Sequence, residues 1–213
     1  MAPTYDDTEQ RAAYWPVAVG RAIPLAILAV LIAFTSNHSP AVGLLLFGVF
    51  AIVTGVATGL LTWFRLRATG ARPFLLAQAV VIVLAGVIAL VFMTGGLPFV
   101  FFVFTFFAVL SGVLELYAGL RTRKRHVASR DWMTLGGITV LAGVVFLVIP
   151  PDFSQSFKDP DGVTRVLDSS VIVVGILGLY AAIAAVFLLI AGFSAKWGTS
   201  SAVAAPAEGE KAA

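Results

Sequence analysis

The chain has 213 residues, of which 60% are hydrophobic and 12% charged, with a formal net charge of +3. Soluble domains carry about twice that share of charged residues, so this composition, with a mean hydropathy of +1.00, excludes a water-soluble globular domain. So small a net charge excludes an electrostatic attraction to nucleic acid. The absence of cysteine excludes disulfides, thiolate metal sites and cysteine nucleophiles.

The N-terminal residues 1–16 read as a cytoplasmic tail whose first part, Met1–Glu9, is polar and disordered. A helix needs about 20 apolar residues to cross the hydrocarbon core. Six stretches approach that length: Val17–Thr35, Val42–Phe64, Pro73–Met93, Leu97–Leu120, Met133–Ile149 and Ser170–Phe193. The first could be taken for a signal peptide, since Arg21 precedes an apolar run; cleavage would leave five helices and destroy the repeat described below. The breaks fall at Ser36–Pro40, Arg65–Arg72, Thr94–Gly96, Arg121–Trp132 and Pro150–Asp168, and Thr199–Ala213 reads as a second disordered tail. Barrel strands are excluded because these runs are continuous, not alternating, and about twice too long. A helical bundle over residues 17–193 satisfies the backbone in lipid, leaving 194–213 as the C-terminal tail.

Orientation follows from the basic residues. Twelve of the fourteen lie on one side if the N-terminus is cytoplasmic: Arg11, Arg21, Arg65, Arg67, Arg72, the run Arg121, Arg123, Lys124, Arg125 and Arg130, then Lys196 and Lys211. Only Lys158 and Arg165 fall outside, beside Asp152, Asp159, Asp161 and Asp168. Trp15, Trp63, Trp132 and Trp197 sit where helices meet the cytoplasm, as interfacial anchors do. A plasma (inner) membrane location with both termini cytoplasmic is expected.

The chain repeats itself. Val83–Val87 recurs as Val140–Val144, an offset of 57 residues, and at the same offset Phe50-Ala51 matches Phe107-Ala108 and Thr54-Gly55 matches Ser111-Gly112. A further 73 residues on lie Tyr180-Ala181 and Ala184-Ala185. The expected fold is an all-α, six-helix membrane bundle made of three parallel helical hairpins, 17–64, 73–120 and 133–193. Ala51, Gly55 and Gly59, Ala108 and Gly112, and Ala181 and Ala185 form small-residue stripes. Such stripes let backbones approach closely, which predicts that the even-numbered helices pack together at the centre.

These hairpins resemble the HdeD-like family of short-repeat bacterial membrane proteins. The passages that carry the resemblance are FTFFAVLSGVLELYAGLRTRKR (Phe104–Arg125) and DWMTLGGITVLAGVVFLVIPP (Asp131–Pro151). It spans roughly residues 18–193 and departs at the longer outside loop and the Ala/Glu/Lys tail. The resemblance implies a non-enzymatic protein of envelope stress or acid tolerance, and it brings no catalytic residues with it.

Ionisable groups within membrane helices are the first place to look for function. Glu115 is the acid that qualifies, with Gln78 as the other strongly polar candidate. Glu115 lies six residues before Arg121, about 9 Å along a helix, within reach of snorkelling cations. It reads as a polar clamp at a helix end, with a proton-binding site as the sharper alternative. His38 on an outside loop offers a pH-responsive group; His126 lies within the basic run. Asp159-Pro160-Asp161-Gly162 resembles part of a calcium loop but lacks its later ligands, and reads as a turn. Arg121, Arg123, Lys124, Arg125 and Arg130 could meet anionic lipid headgroups. No phosphate loop, metal motif or nucleophile–base spacing is found, so no cofactor is expected. Membrane lipids, other membrane proteins or a second copy are the expected partners. Two other functions stay open. An accessory subunit of a larger membrane complex would show an outward aromatic stripe, for which Phe99, Phe101, Phe102, Phe104, Phe106 and Phe107 are candidates. A small transporter or channel would need a polar cavity.

Overall fold

A computed structural model describes residues 5–158, 162 and 164–204. Helices α1 (Tyr5–Phe34), α2 (Pro40–Arg65), α3 (Arg72–Val91), α4 (Gly96–Arg121) and α5 (Ser129–Val148) are followed by strands β1 (Ser154–Lys158) and β2 (Thr164–Asp168), then α6 (Ser169–Ala204). All six helices are long and apolar enough to cross a membrane. The chain is a multi-pass membrane protein.

The helix ends follow local chemistry. Pro40 begins α2 behind an extended Ser39, and Pro73 lies in the first turn of α3, where a missing N–H leaves no intrahelical bond unmade. The Gly95-Gly96 break turns as expected: Gly96 adopts φ +71°, where a Cβ would be strained. The ends of the chain differ from expectation. Of the residues read as tails, 5–16 and 194–204 are helical, while 1–4 and 205–213 lie outside the described residues. The loop between α5 and α6, expected on the outside, also contains structure. β1 and β2 pair antiparallel from Ser154↔Asp168 to Lys158↔Thr164, and the Ser169 hydroxyl donates to the Pro150 carbonyl at 2.7 Å. Asp159, Pro160 and Asp161 lie outside the described residues.

The helices pair across the expected hairpins. The most extensive interfaces are α1 with α6, α4 with α5, and α2 with α3; α5 and α6 touch sparsely, and the even-numbered helices barely meet. The small residues explain this and correct the expected central stripe. A Cβ on Gly55 would lie 3.0 Å from the Ala79 carbonyl oxygen and the Val83 nitrogen; one on Gly112 would lie 2.9 and 2.8 Å from the Gly136 oxygen and the Val140 nitrogen. Each neighbour belongs to the next odd-numbered helix, and the second set stands 57 residues after the first. Gly59 faces Ala79, Ala108 meets Gly143, and Gly178 and Gly192 of α6 press on Ile32 and Val19 of α1. Ala51, Ala108, Ala181 and Ala185 are buried. Close backbone approach therefore joins even to odd helices, where dispersion and weak Cα–H contacts hold membrane helices together.

Two apolar clusters fill the interior. One gathers around Phe104, whose ring lies 4.9 Å from Phe47 and 5.5 Å from Phe146. The other surrounds Trp132, which is 1% exposed, stacks on His126 at 4.8 Å and meets Tyr14 edge-on at 6.0 Å. Trp132 is thus a core residue and not the lipid-facing anchor expected of it, whereas Trp63 and Trp197 are exposed.

Candidate functional site

Between the two apolar clusters lies a buried polar layer built from α1, α3 and α4. Arg21 is buried within α1, which starts sixteen residues earlier; it is not at a cytoplasmic helix end, as its count among the topogenic charges implied. Its guanidinium meets Glu115 of α4 as a two-pronged fork, Nη1 to Oε1 at 2.6 Å and Nη2 to Oε2 at 2.9 Å. Gln78 of α3 donates to the same Oε2 at 2.6 Å and to Ser111 Oγ at 3.2 Å. Glu115 and Gln78, singled out from sequence, are brought together, but the partner cation comes from 94 residues away and not from the basic run six residues on.

A planar guanidinium matches a carboxylate better than an ammonium does, because two parallel N–H donors meet two oxygens. The pair is neutral as a unit, which is what makes it tolerable inside a membrane. A small cavity of about 40 Å³ adjoins the pair, lined also by Thr54, Phe50, Phe107 and Tyr180. It has room for about one water molecule. Arg21 Nε, Gln78 Oε1 and Thr54 Oγ1 are buried there without a protein partner, and such groups are the usual hosts of an internal water. Across the layer, Tyr180 of α6 and Thr139 of α5 share a hydroxyl–hydroxyl bond of 2.9 Å.

Arg21, Thr54, Ser111, Thr139 and Tyr180 were missed as site residues, although for all but Thr139 the signal lay in the repeat. Counting 57 back from Gln78 reaches Arg21, and 57 forward reaches Leu135; all three line the cavity. Thr54 with Ser111, and Phe50 with Phe107 and then Tyr180, line it at the matching offsets of 57 and 73.

The basic run divides in two. Arg121 and Arg125 line a cleft at one end of the bundle with Arg65 and His126, while Arg123, Lys124 and Arg130 border a separate depression shared with Arg125. Lys124 turns this connection with φ +65°. His126 Nδ1 accepts from the Ala128 N–H at 3.1 Å. His38 is half-buried between α1 and α2. Of the aromatic candidates, Phe104 and Phe107 point into the core, Phe101 packs half-buried against it, and Phe99, Phe102 and Phe106 extend a ladder that starts at Phe92, with ring spacings of 5.3, 6.0 and 6.0 Å.

Residues 77–148, which hold Gln78, Ser111 and Glu115, match a family described as a short repeat of unknown function, DUF308. No curated protein and no solved structure matches the chain.

Proposed function

We propose that the chain is a non-enzymatic protein of the bacterial plasma membrane, of HdeD type, with both termini cytoplasmic, serving envelope integrity under acid or related stress. HdeD-like proteins belong to the short-repeat family that residues 77–148 match. The observation that carries the reading is the state of Glu115. Both of its oxygens are engaged, by the Arg21 fork and by Gln78. A carboxylate so engaged ties α1, α3 and α4 together and serves as a clamp. The working part is then the packed bundle itself, against lipid, a second copy or other membrane proteins.

We read the bundle as three parallel copies of one helical hairpin. The like contacts of Gly55 and Gly112, and the cavity residues recurring at the same offset, support that reading. Interfaces between neighbouring copies are then tighter than those within them.

The test is survival of the bacterial host after acid challenge. Deletion of the gene should lower survival, and re-expression of the intact protein should restore it. Equal survival of the deletion and parent strains would end the stress reading.

One observation favours a second function, as an accessory subunit of a larger membrane complex. In the Phe92–Phe99–Phe102–Phe106 ladder, Phe92 and Phe102 are more than half exposed, while Phe99 and Phe106 pack partly against the core. Aromatic rows of this kind suit contact with another protein. Purification in mild detergent separates the two: stoichiometric recovery with fixed partners would favour the subunit, and recovery alone the free-standing bundle.

A further inference from the structure

Three pieces of chain meet at one end of the bundle: the first turns of α1, the α2–α3 connection and the α4–α5 connection. They enclose a cleft of about 490 Å³. Arg65, Arg121, Arg125 and His126 line it, and Glu9 is the carboxylate among the described lining residues. Ala13, Ala68 and Gly70 form other parts of the wall, so small side chains keep it open.

The cleft is built, not a chance gap between loops. Gln10 crosses from α1 to the α4–α5 connection, accepting from the Val127 N–H at 2.9 Å and donating to the Arg125 carbonyl at 3.3 Å. A Cβ on Gly70 would lie 3.7 Å from Thr122 Cγ2, so the two connections touch. The cations nearby divide by role. Arg72 lies 4.3 Å over the Trp63 ring and Arg67 lies 5.9 Å over Phe64, as cations do at an aromatic belt. Arg65 and Arg125 instead border the cleft, and Arg121 does both, lining the cleft with its guanidinium carbon 5.9 Å from the Phe74 ring centre.

Three guanidinium-bearing residues against one described carboxylate, Glu9, leave the concavity with an excess of positive charge that favours a further anion. Each guanidinium offers donors in a planar fork that fits an oxyanion. A phosphate group carries a charge of about −1.5 to −2 and three acceptor oxygens, so it can be held from three sides at once. We propose that this cleft binds a phosphate group. Phosphate is the shared chemistry of two sources, a small soluble phosphate and the headgroup of an anionic phospholipid. Glu9 and Gln10 supply the polar rim.

The test uses the full chain in nanodiscs of phosphatidylcholine. Inorganic phosphate is titrated and followed by calorimetry, and a parallel preparation with added phosphatidylglycerol is examined by native mass spectrometry for retained lipid. Saturable phosphate binding identifies a soluble ligand, and selective retention of phosphatidylglycerol identifies a headgroup. In either arm, R65Q/R121Q/R125Q should abolish the signal, while R67Q/R72Q, outside the cleft lining and seated over Phe64 and Trp63, should leave it unchanged. Should the triple variant fail to fold, the single changes serve instead, each weakening binding by about tenfold, the value of one charge-assisted contact. The proposal is overturned if neither ligand binds, if binding survives the cleft substitutions, or if the control pair abolishes it equally.

Discussion

Arg21→Met tests the polar layer most directly. Glu115 is 1% exposed and would lose the fork at 2.6 and 2.9 Å, keeping only the Gln78 amide. Removing one partner of a buried ion pair destabilises by about 3–5 kcal/mol, because the remaining charge is left uncompensated. That lowers the ratio of folded to unfolded protein by roughly a hundredfold to several thousandfold. R21M/E115M removes both charges together. Gln78 keeps Ser111 as an acceptor at 3.2 Å, and apolar replacement of a buried pair is often neutral or stabilising. The double variant should therefore lie within about 1–2 kcal/mol of the parent and above either single variant. The assay is reversible unfolding in mixed micelles by titrated dodecyl sulfate, followed by circular dichroism. Single variants within about 1 kcal/mol of the parent, or losses that simply add in the double, would refute the clamp.

The glycines give a contrast within one chain. Gly112→Ala places a methyl 2.8–2.9 Å from backbone atoms of α5, so α4 and α5 must part; the same assay should show a loss of about 1–3 kcal/mol. Gly175→Ala meets nothing within 4 Å and should be neutral or stabilising by up to about 1 kcal/mol, the helix preference for alanine. Thr139→Val and Tyr180→Phe each remove the hydroxyl–hydroxyl bond between α5 and α6; a double-mutant cycle should give a coupling of about 0.6 kcal/mol, and a value near zero would mean the hydroxyls do not pair. Trp132→Ala should cost about 3–5 kcal/mol as a core truncation, while Trp63→Ala, at an exposed ring, should leave stability nearly unchanged.

The helices were legible because apolar length alone decides them in a membrane protein. All six expected spans overlap helices, and after the breaks at Ser36–Pro40 and Thr94–Gly96 the next helices start at Pro40 and Gly96. The polar layer was half legible. Glu115 and Gln78 stand out in apolar runs, but Arg21 is disguised by its place near the start of the hydrophobic stretch. A window of hydropathy begins α1 at Val17, since Asp6, Asp7, Glu9 and Arg11 lower the average ahead of it. The helical spacing of Tyr14, Val17, Ala18, Arg21, Ala22, Leu25 and Leu28 is the better guide, because it puts Arg21 on the face that is buried. Helix pairing was not legible. A small-residue stripe says that a backbone comes close, not which one, and Gly55 would look the same facing α4 or α3.

The embrace of α1 by α6 has a consequence for biogenesis. Arg21 leaves the ribosome 94 residues ahead of Glu115, and at about 5–20 residues per second that is a wait on the order of 5–20 s. The helix that shields the flank of α1 emerges later still. During this interval the first segment must carry an unneutralised cation into the insertion machinery without its counter-charge. Cells that degrade unassembled membrane segments would therefore see α1 as an orphan until α6 has emerged. A chain halted before α6 should turn over far faster in pulse-chase labelling than one that includes it, which makes the emergence of α6 a checkpoint for survival of the product.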